Sequence, residues 1–310
     1  MSSLKLTVVE SIRYRGNIGQ WSWISHRISG LAILSFLVIH VWDTANATFW
    51  PEMYSYTVEI FKWFPFSVGE VGLMAAILFH AFNGIRISLL DFKPAWWKYQ
   101  EKSARVVWGL FLVTFVPLGL LMLRTTINHC TELARDGKSC FTFPLPDNLT
   151  ANGLVLGIGI GALVLGIILW FVLHRPPADA GAKPRRAAGS STLERYGFLF
   201  MRLSGIALLL LAVGHMLLQH IFRDVHNLTL QVVADVWRSW GWRAYDLFLL
   251  AFAATHGLNG FRNVLEDYVH DEAKVRGINR ALAIFLVITI IWSAIAIFSF
   301  QPDAVMTPVP

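Results

Sequence analysis

The sequence predicts an all-α integral membrane protein: seven transmembrane helices, arranged as two pseudosymmetric three-helix units plus one connecting helix. Three observations predict it. Of 310 residues, 55% are apolar and only 15% charged, against about 25% charged in an ordinary soluble domain. Mean hydropathy is +0.53. Seven runs reach the ~20 residues that a helix needs to cross a bilayer, and a motif pattern recurs in the two halves. Lipid is therefore the solvent for most of the chain, and a disordered chain or a water-soluble globule is excluded. The net charge of +6 comes from basic residues scattered in short segments between apolar runs. With no Lys/Arg block, a nucleic-acid partner is not expected.

In chain order, the N-terminal arm carries Lys5, Arg13 and Arg15 without an apolar core and cleavage site, so no removable signal peptide is expected. Spans at 22–42, 68–90 and 106–123 form the first unit, residues 1–125. The loop 124–151 holds Cys130 and Cys140, bridged if the compartment is oxidising and free thiols otherwise. A fourth span at 152–173 shows Gly153, Gly157, Gly161 and Gly166 on small-residue faces suited to close packing. The Pro-, Gly-, Ala- and Ser-rich stretch 174–191 reads as a flexible linker. Loop, connecting span and linker make up residues 126–192. Spans at 196–219, 245–265 and 281–300 form the second unit, residues 193–310.

With the N-terminus in the cytoplasm, 19 of the 26 Lys and Arg residues fall in inner segments. The positive-inside rule thus orients the chain with its C-terminus outside, after an odd number of spans.

The two halves repeat each other. Arg27-Ile28-Ser29-Gly30 precedes His40 in the first span, and Arg202-Leu203-Ser204-Gly205 precedes His215 in the fifth; both Arg-to-His spacings are 13. In the second span His80, Asn83, Gly84 and Arg86 lead to Asp91; in the sixth His256, Asn259, Gly260 and Arg262 lead to Asp267. Both His-to-Asp spacings are 11. A parallel repeat of three-span units requires one extra crossing between them, which accounts for the unmatched fourth span.

Four histidines inside membrane helices need a reason, because an unpartnered ionisable group there costs several kcal/mol. With the four arginines at one interface, His80 and His256 lie ~9 Å into the membrane and His40 and His215 ~20 Å. Partners at equal depth come from opposite halves: His80 with His256, and His40 with His215. Two such pairs suit two stacked b-type haems, bis-histidine and without an open iron position, which fits electron transfer. Gly84, Gly257 and Gly260 give a flat macrocycle access to the backbone. Arg27, Arg86, Arg202 and Arg262 are available for haem propionates. The plainer reading of each histidine is an interhelical hydrogen bond. His26, His129, His174, His220, His226 and His270 sit near span ends or in loops and read as interfacial.

Ser25-His26-Arg27-Ile28-Ser29-Gly30 resembles the signature of the larger cytochrome b anchor of succinate:quinone oxidoreductase (complex II). His80 with Gly84, Arg86 and Asp91 resembles that subunit's haem-ligand helix. His256, Gly260 and Asp267-Tyr268 resemble the smaller anchor, so the chain looks like the two anchors fused. The resemblance implies haem b, a quinone (menaquinone or ubiquinone), and flavoprotein and iron–sulfur partner subunits on the cytoplasmic face of a bacterial membrane. It implies that succinate is oxidised in the soluble partners, with no catalytic residue of that step in this chain. For quinone it implies His26, Arg27, Asp267 and Tyr268, with Ser22 or Ser25 replacing a family serine whose position here is Trp23. Arg86, Arg202 and Arg262 are expected at propionates. Two other readings remain: a dihaem cytochrome b anchoring another quinone-linked dehydrogenase, and a non-redox transporter with parallel repeats and proton-relay histidines.

Overall fold

The computed structural model describes residues 16–144 and 192–306, all helix, turn and short connection, with no strand among them. The expected fourth span and the linker lie outside the described residues.

Helix α1 (Ile18–Phe49) is a single 32-residue helix whose buried residues, Ser22, Ser29, Ala45 and Ala47, are all small. Small side chains let neighbouring backbones approach where no water drives helices together. Trp50 breaks it, and the short α2 (Pro51–Phe61) starts with Pro at its first turn, where the missing N–H costs nothing. α3 (Phe64–Phe92) follows, then a 3₁₀ turn (Pro94–Tyr99) leads into α4 (Gln100–Arg135). Pro117 lies inside α4, as membrane helices tolerate. The second half repeats the plan with α5 (Thr192–Leu217), short α6 (Leu230–Trp237), α7 (Trp240–Glu266) and α8 (Glu272–Ser299), ending in α9 (Pro302–Met306).

Among the described residues, five helical stretches are long and apolar enough to cross a membrane: Ile18–Phe49, Phe64–Phe92, Pro94–Arg135, Arg195–Phe222 and Glu272–Ser299. α7 has the length, 27 residues, but carries Arg243, Asp246, His256 and Arg262. Its position explains this. α1, α3, α5 and α7 form a closed ring in which each touches the next, and α7 packs against α1, α5, α6 and α8. Its polar groups face protein and the ring's interior rather than lipid. α4 lies on α3 and α1, and α8 on α7 and α1. The outward surface is apolar, with Val113, Leu210 and Ile284 among its exposed residues. Exposed aromatics gather at helix ends, Trp21, Trp23, Trp96 and Tyr196 at one and Trp50 and Trp240 at the other, the positions that interfacial rings favour. The chain is a multi-pass membrane protein.

Cross-links fix which ends are level. Arg27 near the start of α1 pairs with Asp267 just past α7, and Arg202 in α5 pairs with Asp91 near the end of α3. At the opposite end His129 of α4 stacks on His226 beyond α5, with ring centres 4.6 Å apart. α1 and α5 therefore run parallel. That is the condition on which the extra crossing between the units was expected.

The far end is closed by α2, α6 and the termini of α7 and α8, around Tyr54, Val58, Trp237, Ile297 and Phe300. Arg243, buried, donates to the carbonyls of Trp237, Ile297 (3.1 Å) and Phe300 (3.0 Å). It thereby satisfies the terminal acceptors of α6 and α8, which no helical N–H can reach. Cys130 and Cys140 are bridged, with Cα atoms 5.2 Å apart, so of the two readings left open the disulfide holds. It ties the last turns of α4 to the following loop, turned at Gly137 with φ of 72°.

Candidate functional site

The ring of α1, α3, α5 and α7 encloses one cavity of about 660 Å³, and all four repeat histidines line it. The ring centres of His80 and His256 are 6.3 Å apart with planes at 81°. Those of His40 and His215 are also 6.3 Å apart, at 67°. A metal between two imidazole nitrogens requires bonds of about 2.0 Å, and with about 1.1 Å from nitrogen to ring centre the centres should be about 6.2 Å apart. Both cross-unit pairs meet that spacing. Among the described residues no group of three or more His, Cys, Asp or Glu converges as a metal site; the donors come in twos.

The inner histidines are held by their Nδ1 atoms. His80 Nδ1 donates to the His26 carbonyl at 3.0 Å and lies 3.3 Å from Ser29 Oγ. His256 Nδ1 lies 2.9 Å from Ser204 Oγ. Ser29 donates to the His26 carbonyl (3.0 Å) and Ser204 to that of Met201 (3.4 Å), so each hydroxyl oxygen can accept from the imidazole. With Nδ1 carrying the proton, Nε2 is the nitrogen left for a metal, and the partner on Nδ1 fixes the ring. The Ser-Gly step of each repeat thus has a purpose that spacing alone did not reveal. Serine orients the histidine, and glycine makes room. A Cβ on Gly30 would sit 2.8 Å from His80 Cε1, whereas one on Gly205 would meet His256 Cε1 at an ordinary 3.6 Å. The two positions should therefore differ. Gly30→Ala is expected to displace His80 and destabilise the protein by about 1–3 kcal/mol, read as a lower thermal midpoint. Gly205→Ala should leave the midpoint close to the parent's.

His26 stacks face to face on His80, 3.8 Å between ring centres, and its Nδ1 is buried with no partner among the described residues. Gly84, Gly257 and Gly260 line the cavity, although the side chain of Leu34 closes on Gly257, 2.9 Å from where its Cβ would be.

Of the arginines expected at propionates, Arg202 lines the cavity. It binds Asp91 through two nitrogens, at 2.5 and 3.1 Å. Arg86 is turned away: its three nitrogens donate to Ser103 Oγ, Asn83 Oδ1 and the Gln100 carbonyl. Arg262 pairs with Glu266 at 2.9 Å and lies outside the lining. Arg27 lines the cavity, binds Asp267, and rests on Trp23 with 3.9 Å to the ring centre. Arg202 rests likewise on Phe198, at 3.5 Å. Each unit's arginine thus binds the other unit's aspartate, over an aromatic four residues before it.

The residues expected around quinone separate into two sets. His26, Arg27 and Trp23 share the inner end of the cavity, beside Asp267. Tyr268 follows directly, exposed at 39%. Ser22 is buried in the α1–α4 seam, donating to the Ile18 carbonyl (2.9 Å) and accepting from Trp108 Nε1 (3.1 Å). Ser25 does not line the cavity.

The outer end is more polar than the sequence suggested. Asp43, Glu70, Gln219, His220, Arg223 and Asp246 line it beside His40 and His215. His215 Nδ1 is 3.9 Å from Asp246, which accepts from Trp237 Nε1 at 2.8 Å. His220, expected at the interface, instead faces the cavity 3.8 Å from Glu70. His226 is likewise buried, bonded to Asp224 at 2.9 Å.

The profile of the succinate dehydrogenase/fumarate reductase transmembrane subunit matches this chain in two segments, residues 9–121 and 174–296. This chain belongs to that family. Each segment holds one copy of the Arg-Ser-Gly and histidine pattern, so the chain is a fused cytochrome b-type anchor of complex II. It is 41% identical over 109 residues to the succinate dehydrogenase 2 membrane subunit SdhC of Mycobacterium tuberculosis, 35% of this chain and 80% of that protein. It is similar to the succinate dehydrogenase hydrophobic membrane anchor subunit of Halobacterium salinarum, 28% identical over 32% of this chain and 78% of the relative. The Archaeoglobus fulgidus anchor of the same description is 31% identical over 32% of this chain and 86% of the relative. No solved structure matches it. Family membership displaces the transporter and the anchor of another dehydrogenase as readings.

Proposed function

We propose that this anchor holds two b-type haems and a quinone, and passes electrons from a cytoplasmic iron–sulfur subunit to the quinone pool of a succinate dehydrogenase. The observation that carries this reading is the pair of 6.3 Å imidazole separations, each across the two units and both inside one cavity. His80 and His256 would hold the inner haem, His40 and His215 the outer one. Bound there, the group supplies one-electron exchange at saturated iron.

The chain's own residues do the rest. Ser29, Ser204 and the His26 carbonyl keep the inner imidazoles in one tautomer. The apolar ring of helices excludes water. Arg27 is a cavity-lining donor for a quinone carbonyl, and Tyr268 a second donor at the same end. His26 holds an exchangeable proton beside that site. Arg202 is the cavity-lining cation for a propionate of the inner haem.

The orientation follows from charge: the Arg27–Asp267 end faces the cytoplasm, where the flavoprotein and iron–sulfur partners bind. The Cys130–Cys140 bridge supports this, because it lies at the opposite end, where an oxidising compartment is expected.

Pyridine-haemochrome quantitation of the isolated complex, normalised to flavin, tests the reading. Two haems per flavin are expected. One would remove the His40–His215 assignment, and none would defeat haem binding altogether.

A further inference from the structure

The outer end of the cavity contains a cation to which the reading above gives no task. Arg223 follows a π-helical turn, Leu218–Phe222, that continues α5. It stands eight residues beyond His215, about 12 Å along a helix axis. It lines the main cavity and also a second one of about 340 Å³, with Asp224, Asn227 and Asp235, toward the outer face.

Its surroundings are unlike those of the other bundle arginines. Arg27 and Arg202 have aspartates, Arg86 and Arg243 have several acceptors each, and Arg262 has Glu266. Arg223 forms no ion pair among the described residues, and its Nη1 is buried without an acceptor. Its guanidinium lies 5.8 Å from the Trp242 ring, and its charge acts on Asp246 and His215 across the cavity without forming a salt bridge to either. Two carboxylates that share its cavities have other partners, Asp224 with His226 and Asp246 with Trp237. A guanidinium nitrogen buried without an acceptor is costly, and a ligand that supplies one removes that cost. The fork of an arginine is matched by a carboxylate, which it can bind through two parallel hydrogen bonds.

We propose that Arg223 is the receptor for a carboxylate side arm of the outer haem, an inference that rests on the His40–His215 assignment. Arg223 would then fix that haem in the cavity and hold its reduction potential up, because a cation beside the group disfavours the more positive ferric state.

The test is a reductive titration of the intact complex, with haem counted per flavin in each variant. The outer component is identified as the one that His40→Leu removes. In Arg223→Gln that component should become at least tenfold harder to reduce, 59 mV for one electron, or be lost, while the inner component titrates as in the parent. Arg223→Lys keeps the charge without the fork, and a smaller shift of the same component is expected. Unchanged outer potential and haem content in Arg223→Gln overturn the proposal, as do equal shifts of both components. If Arg223→Gln does not assemble, an unshifted outer haem in Arg223→Lys overturns it. A parent complex with only one haem per flavin, retained in His40→Leu, defeats the underlying assignment instead.

Discussion

His256→Leu is expected to remove one of two haems per flavin while the soluble partners still oxidise succinate with an artificial acceptor. Leucine fills the space but offers iron no nitrogen, and a haem with a single strong ligand would not survive purification. The decisive form of the experiment is the double variant. Because the ring centres of His80 and His256 lie 6.3 Å apart across the units, His80→Leu, His256→Leu and the pair together should all lose the same single haem. This is the non-additivity expected of residues that act as one. His80→Leu combined with His40→Leu should lose both. Pairing within each unit would exchange the outcomes of the two double variants, so a haem count across four preparations separates the two arrangements. Absorbance of the dithionite-reduced b band supplies the count.

The second large effect is expected at Arg27. Its bond with Asp267 joins side chains that are 27% and 51% exposed, and a pair so open to solvent contributes about 0–1 kcal/mol to stability. Arg27→Gln should therefore assemble and keep its haems. Quinone reduction should nevertheless fall by about 10²-fold or more, the usual cost of deleting a donor aimed at developing negative charge. Succinate oxidation with a dye acceptor should not change. The charge swap Arg27→Asp with Asp267→Arg restores the pair but moves the donor. It is expected to be as stable as the parent and as slow as Arg27→Gln. Recovery of quinone reduction in the swap would mean that the pair matters only as a clamp.

Much of this arrangement is legible in the sequence. Apolar runs located α1, α3, α4, α5, α7 and α8, and equal spacings between the halves matched the histidines across the units. Depth could be judged because a helix converts residue number into height at a fixed rate. Azimuth could not, and there the expectations failed. Arg86 has the same sequence setting as Arg262, yet it turns toward Ser103 and Gln100 because α4 packs on that side of α3. Ser22 was a candidate for quinone, but Trp108 claims it from α4. The roles of Ser29 and Ser204 depend on which ring faces them across a helix seam, and no local pattern encodes that. The outer polar group went unnoticed because Asp43, Glu70, His220 and Asp246 are each isolated in sequence and meet only when four helices close. α7 posed the reverse difficulty. Its polar content would disqualify it as a lipid-facing span, and only the ring explains it.

The exchanged ion pairs, Arg27 with Asp267 and Arg202 with Asp91, bear on why one polypeptide carries both anchors. Neither half alone offers more than one side of either charge pair. As separate chains they would have to meet in the bilayer at equal amounts, losing translational freedom on association. A covalent tether makes that meeting intramolecular, with a high effective concentration, and it fixes stoichiometry at one to one. Expression levels of two partners then no longer need to be balanced.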